Sequence, residues 1–322
     1  MNNSTFPTAQ LARLTNPSGS PIHALTFSSG TGQYILTGSQ DRQIRLWNPI
    51  SKRPLIQTYS AHGYEVLDIA VDSQNERFVS GGGDKTVFIW DVATAQTLRR
   101  FGGHAARINA VAFGGEGDSV AMSGSFDGTA KIWDLKARSE KPIMTLGEAR
   151  DSVTSVKVLG HEIFVGSVDG RVRVYDLAMG RLETDVVAPG KGVTSLMPTR
   201  DGQGYLVSSL DSKLRFMDRT TGKCLQTFSH VGFVNETYRI RSTLAGAEAF
   251  VVSGTEDGRV LVWDVLSGNL VKEVWHNEGG AAGAGQPSKK DVVSAVAWNQ
   301  MRKMWASAGG DGSVAVWGNQ ES

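Results

Sequence analysis

The sequence predicts an all-β chain folded as a single seven-bladed β-propeller, and three observations predict it. The first is a recurring stretch in which an aspartate stands six residues before a Trp, Tyr or Met: Asp41 and Trp47, Asp84 and Trp90, Asp127 and Trp133, Asp169 and Tyr175, Asp211 and Met217, Asp257 and Trp263, Asp311 and Trp317. The second is their spacing. Successive aspartates lie 43, 43, 42, 42, 46 and 54 residues apart, on the ~40–45-residue period of a four-stranded blade except for the last two, which carry insertions. The third is a strand-like segment, 9–15, ahead of the first repeat, while the chain ends just after Trp317. Borrowed as the outer strand of the last blade, that segment closes the ring and removes the sheet edges that otherwise invite aggregation.

Taken in order, the closing strand 9–15 is followed by blades over 20–58, 63–101, 105–146, 151–187, 192–228, 232–275 and 291–318. Residues after each aspartate alternate, as Val260 and Val262 do against Arg259, Leu261 and Trp263, which is the period of a strand. Before each aspartate lies a second short strand, such as Arg77-Phe78-Val79-Ser80, ending in a Gly- or Ser-rich turn such as Gly81-Gly82-Gly83. Such a hairpin sheet cannot bury both faces alone, so neighbours stack until the core is continuous. Segment 277–290, rich in Gly and Ala, is too poor in large apolar side chains to build core and is expected to be a flexible surface insert.

Composition narrows the function. Lys and Arg number 33 against 32 Asp and Glu, so no field draws the chain to nucleic acid or an acidic membrane. The single cysteine, Cys224, cannot form an internal disulfide, and the six histidines form no Cys/His cluster at metal-ligand spacing. Neither a secretory signal within the first 21 residues nor an apolar run of membrane-spanning length is present, and an intracellular location is expected. No nucleophile elbow, Walker loop or dinucleotide fingerprint occurs, so no enzyme activity and no cofactor are expected. Three Asn-x-Ser/Thr triplets, at Asn2, Asn3 and Asn235, are read as chance.

Three blades carry a His, a Ser, the turn Asp and the Trp as a set: His62, Ser80, Asp84 and Trp90; His104, Ser123, Asp127 and Trp133; His230, Ser253, Asp257 and Trp263. The other four blades lack a matching His. A buried indole N–H and a buried carboxylate each need a partner, so a satisfied set of this kind fixes the turn. With these residues and the seven repeats, the chain resembles the WD-repeat family over essentially its whole length, and the sets are expected to be structural rather than catalytic. Narrower phrases, namely His62-Gly63-Tyr64-Glu65-Val66-Leu67-Asp68, Gly81-Gly82-Gly83-Asp84-Lys85, Glu148-Ala149-Arg150-Asp151 with Ser155-Val156-Lys157-Val158, and Gly166-Ser167-Val168-Asp169-Gly170-Arg171-Val172-Arg173, are similar to the mitogen-activated protein kinase organizer proteins. That resemblance implies a scaffold for kinase-cascade components that is also found with the spliceosome, in cytoplasm and nucleus.

A rigid ring offers loops to partners without rearranging. On the face of the Asp turns, blades two to four present Tyr64, Glu65, Arg107, Phe126, Arg150 and Asp151 as candidate protein-binding residues, since Tyr and Arg are frequent anchors and a turn has little packing use for Phe126. The expected function is a non-catalytic scaffold whose partners are spliceosomal proteins or kinase-cascade components. The alternative is a substrate receptor of a cullin-RING ubiquitin ligase, since Ile132-Trp133-Asp134-Leu135-Lys136 resembles the Trp-Asp-x-Arg/Lys feature of such receptors.

Overall fold

The computed structural model describes residues 6–277 and 288–319. They form seven antiparallel four-stranded sheets, with no helix among the described residues. Six sheets are meanders of consecutive strands; the blades span 22–60, 66–101, 108–146, 153–186, 193–228 and 242–275. The seventh combines Val293–Asn299, Met304–Gly309 and Ser313–Gly318 with Ala9–Thr15 from the start of the chain. The ring is thus closed by the amino-terminal strand, with Ala9 opposite Gly318 and Thr15 opposite Ser313. Of the expected insert, residues 278–287 lie outside the described residues, as do Asn2 and Asn3.

Apolar residues collect between the sheets, in seven wedges, one per pair of neighbouring blades. Val79, Ile89 and Phe101 of blade two meet Ile108, Val111 and Trp133 of blade three, for example. Leu14 of the closing strand enters the wedge between blades seven and one. Phe6 fills the one between six and seven, beside Trp305, whose indole N–H donates to the Pro7 carbonyl at 2.7 Å. A small residue three positions before the turn aspartate lets neighbouring blades approach. A Cβ on Gly81 would lie 2.5 Å from Ile108 of the next blade, and one on Gly124 would lie 2.4 Å from Val153.

The turns that follow are alike in all seven blades. The residue after the aspartate is left-handed every time: Arg42, Lys85, Gly128, Gly170, Ser212, Gly258 and Gly312. In blades one, three, four and seven the carboxylate accepts the N–H two residues on, from Gln43, Thr129, Arg171 and Ser313, which is how an Asp fixes such a turn. Blade six departs from the pattern on its inner side. Its innermost strand, Ser242–Ala245, is four residues long, and 229–241 form no strand.

Candidate protein-binding face

In blade two, the Trp90 indole N–H donates to Ser80 Oγ at 2.8 Å; Ser80 lies 2.8 Å from His62 Nε2, and His62 Nδ1 lies 2.6 Å from Asp84. Blade three repeats this relay: 2.8 Å from Trp133 to Ser123, 2.8 Å from Ser123 to His104, and 2.9 Å from His104 to Asp127. One proton arrangement satisfies every link of both relays, while the buried Oδ1 of Asp84 is left without a partner among the described residues. The indole donates to the serine, the serine hydroxyl donates to Nε2 of a neutral imidazole, and Nδ1–H donates to the carboxylate. Burial lowers the His104 pKa against the raising effect of Asp127, consistent with that neutral form. Burial alone raises Asp127, but hydrogen bonds from Thr129, His104 and the Ala105 N–H outweigh it and hold the carboxyl at about 2.

The third expected set is not assembled. His230 Nδ1 accepts the Gly232 N–H, Ser253 donates to the Gly254 carbonyl, Asp257 is taken by Thr255 and Arg259, and the buried Trp263 N–H has no partner. The cause is the longer connection. Residues 231–241 turn toward the ring axis, leaving His230 half-exposed at their start and Phe233, edge-on at 5.4 Å, over the Trp263 ring.

Blade seven, expected to lack a His, has one. His276 Nδ1 lies 2.8 Å from Ser307, which also receives the Trp317 N–H at 3.0 Å, while Nε2 lies 3.1 Å from Ser313 and 3.4 Å from Asp311. The insert places this His 35 residues before its aspartate, against 22 and 23 in blades two and three, which hid it from a spacing argument. The remaining turn aspartates are held by arginine. Arg45, Arg173 and Arg215, each four residues after Asp41, Asp169 and Asp211, pair with those carboxylates. That spacing was visible in the sequence.

Around these locks lies the face of the Asp turns. Tyr64 is 61% exposed and Phe126 54% exposed, and the Arg107 guanidinium sits 4.8 Å from the centre of the Phe126 ring. The Phe126 N–H donates to the Arg107 carbonyl at 2.9 Å, so this stacked pair stands on a fixed backbone. The next loop is tied in by Ser152, which donates to the Phe126 carbonyl at 3.1 Å; Arg150 and Asp151 are exposed there. Tyr64 and Glu65 share a loop pressed against Gly82 and Gly83, where a Cβ on Gly82 would lie 2.0 Å from the Glu65 carbonyl oxygen. The six residues therefore occupy three successive loops and one turn of a single face, with Arg107 and Phe126 in contact. Lys136 is exposed after the third strand of blade three, on the opposite face. Asn235 is fully buried and its side-chain N–H group donates to Thr194 and Ser208, so it is no glycan acceptor. Among the described residues, no group of three or more His, Cys, Asp or Glu could hold a metal ion, and no helix is long and apolar enough to cross a membrane.

A ring of seven four-stranded blades, three of them joining Trp, Ser, His and the turn Asp, is a WD-repeat propeller, and the comparison with known families agrees: the family "WD domain, G-beta repeat" matches residues 9–48, 53–91, 95–134, 140–176 and 285–318. The chain belongs to the WD-repeat family. Blades five and six, which lack the lock, fall in the unmatched stretch. Among individual proteins, the chain is 42% identical to WD repeat domain-containing protein 83 of Rattus norvegicus, over 97% of this chain and 92% of that protein. It is 44% identical to WD repeat domain-containing protein 83 of Homo sapiens, over 89% and 85%. With the homolog of that protein in Dictyostelium discoideum it shares 27% identity, over 96% and 97%.

Proposed function

We propose that this chain is a non-catalytic scaffold that holds protein partners on the Asp-turn face of blades two to four, acting in pre-mRNA splicing, in a mitogen-activated protein kinase cascade, or in both, in nucleus and cytoplasm. The carrying observation is the exposed Arg107–Phe126 stack beside Tyr64 on loops that the blade locks hold rigid. Aromatic and Arg side chains already ordered in the free protein lose little entropy on docking, which is what makes good anchors. Two partners held at once gain effective concentration for each other without any chemistry. The splicing and kinase-cascade assignments rest on the sequence phrases of blades two to four.

The test is affinity capture from nuclear and cytoplasmic extracts with the parent chain and a Tyr64→Ala, Arg107→Glu, Phe126→Ala variant, retained proteins being identified by mass spectrometry. Spliceosomal or kinase-cascade proteins held by the parent and lost from the variant are expected. Partners indifferent to the triple change overturn the choice of face. Capture of a cullin-RING adaptor, lost on Lys136→Glu, would replace this reading with that of a ligase receptor.

A further inference from the structure

The segment that breaks the pattern of blade six also closes the ring's central channel. The Asn235 side chain anchors it, and one Glu256 oxygen accepts the backbone N–H groups of Glu236, Thr237 and Tyr238 at 2.7, 2.6 and 2.9 Å. From this fixed turn, Arg239 and Arg241 cross the lumen to the far wall. Arg239 donates to the Asn109 carbonyl, and Arg241 donates to Asp68 and to the Leu67 carbonyl, both at 2.5 Å. The two arginines divide the channel into a chamber on the Asp-turn side, where Glu65 lies, and one on the other side, with a volume of about 310 Å³.

Charge in the second chamber does not balance. Among the described residues Asp68 is its one carboxylate, and it is used up by Arg241 and the N–H groups of Ile69 and Val111. Among the described residues, Lys157, on the wall of blade four, makes no ion pair or hydrogen bond, and the buried Nε of Arg239 has no acceptor. Ser242 Oγ, buried on the wall of blade six, also lacks a partner among the described residues. Arg200 stands exposed at the mouth. Burial, and after it the neighbouring Arg241, lowers Arg239 to about 9, and burial lowers Lys157 against the pull of Asp68. Cations held this way, beside an orphan hydroxyl, are the donor set that a tetrahedral oxyanion satisfies with several charge-assisted bonds at once.

We propose that this chamber is a binding site for a phosphoryl group, held by Lys157, Arg239 and Ser242 and entered past Arg200. It lies on the other side of the arginine plug from the protein-binding face, so it does not depend on that reading. Titration calorimetry and thermal melts at constant ionic strength test it, with inorganic pyrophosphate and a phosphoserine peptide as probes and chloride as control. Saturable binding of at least one probe is expected, weakened at least about tenfold by Lys157→Met and by Arg239→Gln; the tighter probe tells whether the group enters free or on a peptide. Lys157→Met removes an uncompensated cation, so without ligand it should melt no lower than the parent, and the loss of binding cannot then be put down to misfolding. A Tyr64→Ala, Phe126→Ala double variant, which leaves the charges around Arg239 unchanged, should bind the probes as the parent does. Absence of saturable binding, or binding that ignores both channel changes, overturns the proposal.

Discussion

Identical residue types do different work in this ring according to whether the hydrogen-bond relay beneath them is complete. Trp133 and Trp263 are both fully buried, but the Trp133 N–H is satisfied by Ser123 and the Trp263 N–H by no described residue. Changing either to Phe removes similar volume. At 133 it also leaves Ser123 without a donor, whereas at 263 it removes an orphaned polar group that costs about 1–3 kcal/mol to keep buried. Trp133→Phe should therefore destabilise the protein by about 1–2 kcal/mol more than Trp263→Phe, read from urea midpoints at equal slope; equal losses would show that the relay contributes nothing. The relays and the arginine pairs that replace them also set the response to acid. Asp127 and Asp169 titrate at about 2 in the fold against an ordinary 3.8, so their stabilisation is complete above the unfolded value and is lost as pH falls toward 2. His104, lowered below 6.5 by burial, has the same sign: the unfolded chain takes up a proton that the fold refuses, so stability declines as pH drops through 6.5. Melting temperature should fall in two stages between about pH 7 and pH 2, and His104→Gln should flatten the upper stage. A melting temperature that rises from pH 7 to pH 5 would contradict the neutral relay.

At the scale of the element, what the sequence made legible was whatever is local. The aspartate, the strand after it and the Trp six residues on are fixed by one turn and one hairpin, so all seven turns and the closing strand could be read directly, and the lock residues of blades two and three with them. The partner of each lock sits across a loop, and loop length is free to vary. Hence His276 was missed behind the insert, while His230, at a tolerable distance in sequence, is carried away by the segment that turns inward. The three arginines that replace histidine on Asp41, Asp169 and Asp211 were readable from their constant spacing of four, because a side chain two strand positions beyond the turn residue points to the same face as the turn carboxylate. The channel cations could not be read. Lys157 of blade four and Arg239 and Arg241, from the segment before blade six, share a chamber with Asp68 of blade two only because the ring closes. The binding face was legible in part: Phe126 stood out as an aromatic in a turn, but its stacking on Arg107 follows from the register of neighbouring strands.

For the molecule as a whole, the seven wedges make closure a cooperative property. Each blade buries its faces only against its neighbours, so stability is a sum of nearest-neighbour terms, and a linear stack of such units has two exposed ends that a ring does not. The amino-terminal segment contributes to two of those terms, through Leu14 of the closing strand in one wedge and Phe6, just before it, in another. It is also pinned by Arg13, which donates to the His276 carbonyl at 2.8 Å and to Asp311 and Ser313 at 3.0 and 2.7 Å. Two changes separate the pin from the strand. Arg13→Ala removes hydrogen bonds to one lock and should cost about 1–3 kcal/mol while unfolding stays a single sharp transition. Deleting residues 1–16 opens the ring, exposes the edge of Ser313–Gly318 and should lower the midpoint further while broadening the transition, because the blades then unravel from a free end. A synthetic peptide of residues 6–16, added to the truncated chain, should restore the sharp transition by pairing with that edge. If the truncated chain melts as sharply and as late as the parent, the seven wedges hold the ring without closure, and the amino-terminal strand is an accessory to the fold.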